Sequence, residues 1–121
     1  MAIKHRQLDV EHQNDIVCAH LRKRKFEETE VQELSDELLS LILDDGCRKL
    51  VLSLGPGSPE CLYSIFLAKL FTVRRRIGEL GGTMKLCDVS DDVIGVFEAC
   101  HLKEFFEFYP DQASAMASFS S

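Results

Sequence analysis

The chain has 121 residues, of which 45% are hydrophobic and 28% are charged, and its formal net charge is -6 at neutral pH. This length and composition are typical of one globular domain that buries a core without disulfide or metal staples. The negative charge disfavours nonspecific binding to nucleic acid, and every apolar run is much shorter than a membrane span.

The first third of the chain predicts a β-hairpin and then a helix. Leu8–Glu11 and Ile16–Leu21 are short strand-like runs, and the asparagine and aspartate between them indicate a turn. Thr29 and Gln32 have the spacing of a capping box, and an apolar stripe of helical period follows them. We therefore predict that a helix opens at Thr29 and ends near Gly46, where glycine tolerates a left-handed cap.

The middle of the chain predicts a parallel βαβ arrangement. Lys49–Leu54 is nearly all apolar and follows a helix closely, as a central strand covered on both faces would. Gly55–Pro59 interrupts regular secondary structure. A second helix is expected over Ser64–Glu79, and two glycines follow it. Thr83–Cys87 reads as the next strand, so helices and strands alternate.

The last third predicts a third helix capped by Ser90, a strand at Phe105–Phe108 and a short helix from Asp111 to about Ser118. The whole chain, 1–121, is then a single α/β domain with a small mixed sheet, and we expect 1–7 and 118–121 to fray. The predicted core includes Leu34, Leu38, Leu52, Leu67, Leu70, Val96 and Phe97.

The five cysteines indicate a reducing cytoplasm, because their number is odd and no Cys-x-x-Cys pair occurs. Cys18, Cys87 and Cys100 lie in apolar runs and are predicted to be small core residues. Their spacing to histidines resembles no zinc motif, so no metal site is expected. Met1–Asp9 is polar and lacks the apolar core of a signal peptide.

Candidate chemistry is sparse. The Gly55–Pro59 loop lies where a phosphate cradle would sit, but no Gly-Lys-Ser/Thr follows it, so a tight connection is favoured and nucleotide binding remains an alternative. Paired carboxylates fall at helix ends or in loops, where solvated charge is expected, and no nucleophile with a base is visible. We predict no enzymatic activity and no cofactor. Ser64 alone stands out, at the expected start of the second helix, where it would serve as an N-cap.

From Lys49 to about Phe119 the chain resembles a STAS domain, the fold of bacterial anti-sigma factor antagonists. Val93–Leu102 is similar to the V-x-x-V-F-E-x-x-x-L helix of that family, and Phe105–Tyr109 is similar to its closing strand. The order and spacing of these landmarks, with the paired glycines after the second helix, carry the resemblance.

The family's functional motif, typically Asp-Ser-Ser-Gly-Leu, falls on Tyr63–Leu67. Ser64 matches the serine that family kinases phosphorylate, while Tyr63, Ile65 and Phe66 replace the acid, the second serine and the glycine. The resemblance implies a regulatory protein that binds an anti-sigma factor, often itself a kinase, and releases it when Ser64 is phosphorylated.

The loop before the second helix and the first turn of that helix are predicted to form the main partner surface, because strand-to-helix loops often carry function and the resemblance places Ser64 there. We expect 57–62 to be solvent-exposed, with Tyr63 and Phe66 outside the buried stripe. The predicted partner-binding residues are Gly57, Ser58, Pro59, Glu60, Tyr63, Ser64 and Phe66. The alternative is a STAS scaffold module of a larger signalling complex, without phosphorylation. Neither reading involves direct contact with nucleic acid or membrane.

Overall fold

A β-hairpin opens the fold. The computed structural model describes residues 5–120, and β1 (Leu8–Gln13) pairs antiparallel with β2 (Ile16–Leu21). Asn14 takes a left-handed φ of 58° at the turn, a conformation that asparagine tolerates better than most residues. The predicted hairpin is confirmed, and its first strand is two residues longer than the apolar run suggested.

The sheet continues in sequence order, β1-β2-β3-β4-β5, and every pair after the hairpin is parallel. Its remaining strands are β3 (Lys49–Ser53), β4 (Thr83–Cys87) and β5 (Glu107–Tyr109). β3 is the central strand, as its apolar sequence predicted. Both of its faces are covered, which is why its middle residues are apolar.

Four helices cover the sheet, and they are α1 (Glu28–Leu43), α2 (Tyr63–Glu79), α3 (Asp91–Ala99) and α4 (Gln112–Ala117). The first three bury their apolar sides in one large cluster against one face. α4 covers a smaller cluster on the opposite face, which includes Cys18, Val51 and Cys87. The predicted single α/β domain is confirmed, and no helix within 5–120 is long and apolar enough to cross a membrane.

Six of the seven predicted core residues are at most 2% exposed. The exception is Val96, which is half-buried. Cys100 was expected in the core and is exposed, because α3 ends at Ala99 and only Val93 and Phe97 reach the sheet from this helix.

The start of α1 differs from the prediction. Glu27 is the N-cap, and it forms a capping box with Glu30, whose side chain accepts a 2.9 Å hydrogen bond from the Glu27 N–H. Thr29 is already the second helical residue. Glu27 and Glu30 form the reciprocal pair of side-chain to backbone hydrogen bonds that Thr29 and Gln32 were expected to form.

The last strand lies later than predicted. A 3₁₀ turn occupies Lys103–Phe105, and Phe105 is 40% exposed. The ring of Phe97 decides the register, because Phe106 and Phe108 both pack edge-on against it, with centroid distances of 5.2 and 5.1 Å. Two aromatic residues that contact one ring must point to the same side, as residues two apart along an extended chain do.

Both ends of the described chain are held to the domain. The backbone N–H of Gln7 donates to the buried carboxylate of Glu37 at 3.0 Å. At the other end, the ammonium of Lys85 lies 4.1 Å from the centre of the Phe119 ring and 2.5 Å from the hydroxyl of Ser118. Fraying was predicted for 1–7 and 118–121, of which 1–4 and 121 lie outside the described residues.

Candidate functional site

Three loops meet at the carboxyl edge of the parallel strands. They connect β2 to α1, β3 to α2 and β4 to α3, over 22–27, 54–62 and 88–90. In open α/β sheets this edge is where ligands and partners usually bind, because strand ends and helix N-termini converge there. The predicted site residues lie in the loop before α2 and in the first turn of that helix, next to this edge.

Backbone hydrogen bonds fix the loop before α2 to the loop before α1. The N–H of Phe26 donates to the carbonyl of Glu60 at 2.8 Å, and the N–H of Glu60 donates to the carbonyl of Arg24 at 2.7 Å. These two bonds form a short parallel bridge between the loops. The surface in front of α2 is thus positioned by main-chain bonding, which costs little side-chain entropy.

The same loop is tied to α3 on its other side. The hydroxyls of Ser58 and Ser90 lie 2.7 Å apart, and the Ser90 hydroxyl also accepts the N–H of Val93 as the predicted cap of α3. Below them, Gly55 passes so close to Asp88 that a Cβ at position 55 would lie 2.8 Å from the Asp88 Cβ. A glycine is therefore required there by close approach.

Ser64 is exposed at the N-terminus of α2, but it does not cap the helix. α2 begins at Tyr63, its N-cap is Leu62, and no side-chain cap bond is made. Ser64 is the second helical residue, and within 5–120 its hydroxyl makes no hydrogen bond. The predicted start of α2 at Ser64 is one residue late, and the prediction that Ser64 caps the helix is wrong, because the N-cap lies two residues earlier. Its hydroxyl is free and faces solvent beside backbone N–H groups that have no helical acceptor.

The predicted partner residues divide into a surface and its support. Gly57, Glu60 and Ser64 are exposed, while Ser58 and Tyr63 are half-buried. Two predictions of exposure are wrong, and they concern Pro59, which is buried, and Phe66, which is 0% exposed.

Helical periodicity explains the burial of Phe66. The residues of α2 that face the sheet include Phe66, Leu70, Val73 and Ile77, spaced by four, three and four positions. Phe71, which follows the buried Leu70, is half-buried. The stripe could have been read from the sequence by extending the period one turn toward the N-terminus.

Leu62 is a functional candidate that the sequence did not single out. It is 54% exposed, the highest value among the exposed large hydrophobic residues that the structure describes. It precedes α2 directly and lies two residues from Ser64. The available signal was an apolar residue at an N-cap position, where polar residues are normal. Single exposed apolar side chains are common on protein surfaces, so Leu62 is singled out by its place beside Ser64 and not by its exposure alone.

The titratable groups near this edge are not activated nucleophiles. Burial raises the pKa of the Cys61 thiol to about 11, and burial followed by the neighbouring charge of Asp88 raises that of Cys87 to about 12. Burial also raises the pKa of the Tyr63 hydroxyl. Over 5–120, no group of three or more metal-ligating side chains is assembled. The arrangement supports contact with a partner better than covalent chemistry.

Comparison with known proteins identifies the fold. No protein-family model matches the sequence, and no curated protein matches it significantly. Solved structures do match. TM1081 of Thermotoga maritima, described as a candidate anti-sigma factor antagonist, is 18% identical with a TM-score of 0.82, and 98% of each chain is covered.

Two further structures extend this result. An anti-sigma factor antagonist (STAS) domain protein of Planctomyces limnophilus is 23% identical over 94% of this chain and 98% of its own, with a TM-score of 0.80. The phosphorylated form of the Bacillus cell fate determinant SpoIIAA is 12% identical over 93% and 98%, with a TM-score of 0.69. The chain therefore has the STAS fold, and the resemblance noted in the sequence from Lys49 onward extends over nearly the whole chain.

Proposed function

We propose that this chain is a non-catalytic regulatory domain of the bacterial cytoplasm that acts as an anti-sigma factor antagonist by partner switching. One observation carries the proposal. Nearly the whole chain superposes on anti-sigma factor antagonists, and at the carboxyl edge of that fold Ser64, whose hydroxyl has no hydrogen-bond partner among 5–120, lies exposed at the start of α2. The partner is an anti-sigma factor, which can itself be a serine kinase, or another signalling protein.

The docking surface comprises Gly57, Ser58, Glu60, Leu62, Tyr63 and Ser64. Leu62 supplies the apolar anchor, and the polar residues around it form a rim, which is the usual composition of a transient interface. Pro59 and Phe66 lie beneath this surface and support it, so we assign them no direct contact. The main-chain bridge between Arg24 and Glu60 holds the surface in place before a partner arrives.

Phosphorylation of Ser64 would act on the complex more than on the free domain. A phosphate adds about -1.5 to -2 charges at neutral pH. In the free protein that charge lies at the second position of α2, where the unpaired N–H groups and the helix dipole favour it. Against a closely packed partner the same charge loses its water, which disfavours binding. The switch thus needs no change of fold.

The second candidate is a STAS scaffold that is never phosphorylated. It is favoured by the replacements around Ser64, since Tyr63 is half-buried and its hydroxyl is already bonded to the carbonyl of Pro59. A kinase would then meet a serine flanked by an anchored tyrosine and a partly buried isoleucine. Incubation with ATP and the candidate kinase, followed by mass spectrometry of the Ser64 peptide, separates the two candidates.

The affinity of the isolated partner for three variants tests the switch. Ser64→Asp should weaken binding by about 1–3 kcal/mol, as expected for a charge placed within a packed contact. Ser64→Ala should leave the affinity unchanged. Ala113→Asp is the matched control, because Ala113 is also an exposed second helical residue but belongs to α4 on the opposite face of the sheet. Equal affinities of Ser64→Asp and Ala113→Asp would exclude Ser64 as the switch.

A further inference from the structure

We propose that a cavity between the loop after β2 and the loop after β3 binds a phosphoryl-type anion, with Arg24 as the principal ligand. This inference is independent of the proposed function, since it concerns a concave site beside the docking surface. The cavity has a volume of about 230 Å³. Arg22, Lys23 and Arg24 line it on one side, and Gly55 and Ser58 line it on the other.

The three cations are not equivalent, because two of them are already neutralised. The guanidinium of Arg22 lies 2.9 Å from the carboxylate of Asp9, and the ammonium of Lys23 pairs with Glu30. Arg24 forms no ion pair with any carboxylate of 5–120. Its charge is therefore available to an external anion, while no acidic side chain lines the cavity.

The position of Arg24 is fixed by its backbone and by Gly57. The carbonyl of Arg24 accepts the N–H of Glu60, which locks the main chain at this point. Its guanidinium rests against the Cα of Gly57, so a Cβ at position 57 would overlap it. Gly57 also has a φ of 78°, a conformation that glycine adopts without strain. Position 57 thus leaves room for the Arg24 guanidinium because it lacks a side chain.

Backbone donors are available on the opposite loop, where Ser58 lines the cavity and Gly57 adjoins it in the chain. Within the described part of the chain, the N–H groups of Gly57 and Ser58 donate to no backbone or side-chain acceptor. The N–H groups of a glycine with positive φ and its neighbour are a common element of small anion-binding concavities. A planar guanidinium with two parallel N–H donors matches two oxygens of a phosphoryl group. Together these donors favour a phosphoryl group over chloride.

The charge of the whole molecule makes local binding distinguishable from nonspecific attraction. The net charge of -6 repels anions in general. Saturable anion binding therefore requires a local cluster of donors, and variants of Arg24 and Arg75 distinguish this cavity from the one lined by Arg74 and Arg75. A free phosphate ion and a phosphorylated side chain of another protein present the same group, so the experiment needs an arm for each.

The test follows backbone amide resonances of the full chain by NMR during titration at constant ionic strength. The probes are inorganic phosphate and O-phospho-serine, with acetate and chloride as controls. We expect saturable shifts centred on Gly57 and Ser58 with phosphate or O-phospho-serine, and none with chloride. Stronger binding of O-phospho-serine identifies a phosphorylated side chain as the ligand, and equal binding identifies the free ion.

Variants decide whether Arg24 is responsible. Arg24→Gln should weaken phosphate binding by about tenfold or more, as expected when a charged donor to an anion is lost. Arg24→Lys keeps the charge and should retain part of the affinity, and Arg75→Gln, an exposed arginine on α2, should have no effect. Dispersed spectra confirm that each variant is folded. The proposal is overturned if phosphate gives no saturable shifts, or if Arg24→Gln binds as the unmodified chain does.

Discussion

The hydroxyl of Tyr63 donates a 2.5 Å hydrogen bond to the carbonyl of Pro59, so the first residue of α2 is bonded to the loop that precedes it. Tyr63→Phe removes this bond and should lower the free energy of unfolding by about 0.5–1.5 kcal/mol. Urea denaturation measures the difference. Tyr109→Phe is the matched control, since the Tyr109 hydroxyl is bonded to the exposed carboxylate of Glu107. This variant should lower the free energy of unfolding by less. A larger loss for Tyr109→Phe would contradict this ranking.

Replacing a buried leucine by alanine should lower the free energy of unfolding much more than replacing an exposed one. Leu38 and Leu70 are 0% and 1% exposed, and replacing either by alanine leaves a cavity between α1, α2 and the sheet. We expect a loss of about 2–5 kcal/mol in the free energy of unfolding. Leu43→Ala, at the end of α1 and 49% exposed, should change it by no more than about 0.5 kcal/mol. Chemical denaturation curves with equal slopes provide the comparison, and equal losses for Leu43 and Leu38 would be inconsistent with the packing.

The two serines at helix N-termini should differ in their contribution to stability. Ser90 accepts the N–H of Val93 and caps α3, whereas Ser64 lies inside α2 and caps nothing. Ser90→Ala should therefore lower the free energy of unfolding by about 1 kcal/mol. The substitution also removes the partner of the Ser58 hydroxyl. Ser64→Ala should be neutral within about 0.5 kcal/mol. Thermal unfolding of both variants tests this, and a comparable loss at Ser64 would restore the capping role that the sequence suggested.

Thiol labelling should distinguish the exposed cysteine from the others. Cys100 is exposed, Cys18, Cys47 and Cys87 are buried, and Cys61 is half-buried. The thiolate is the reactive form, and burial raises the pKa of Cys61 to about 11, which leaves little thiolate at neutral pH. We expect one cysteine of the native protein to react rapidly with an aromatic disulfide reagent.

Two variants identify that cysteine. Cys100→Ser should abolish the rapid phase, while Cys61→Ser should leave it unchanged. A rapid phase that persists in Cys100→Ser would show that Cys100 is shielded, as the apolar run around it originally suggested.

The sequence by itself determined the order of the elements and most of the main core. The near-continuous apolar run at Lys49–Leu54 identified the central strand, and the helical period of Leu34 and Leu38 identified the buried side of α1. The caps at Ser90 and Asp111 were also predictable, because each polar residue directly precedes a helix and accepts a backbone N–H three residues on. These features depend on local pattern, which the sequence contains in full.

Only the tertiary structure decided where ambiguous residues point. Phe66 fits both an exposed anchor and a core residue until α2 is packed against the sheet, and Phe106 and Phe108 are placed by the ring of Phe97, which lies on a different element. The meeting of Arg24 with Gly57 likewise joins residues that are far apart along the chain. Such contacts depend on which loops the sheet order brings together at its carboxyl edge. No local pattern in the sequence specifies how far apart two such loops lie.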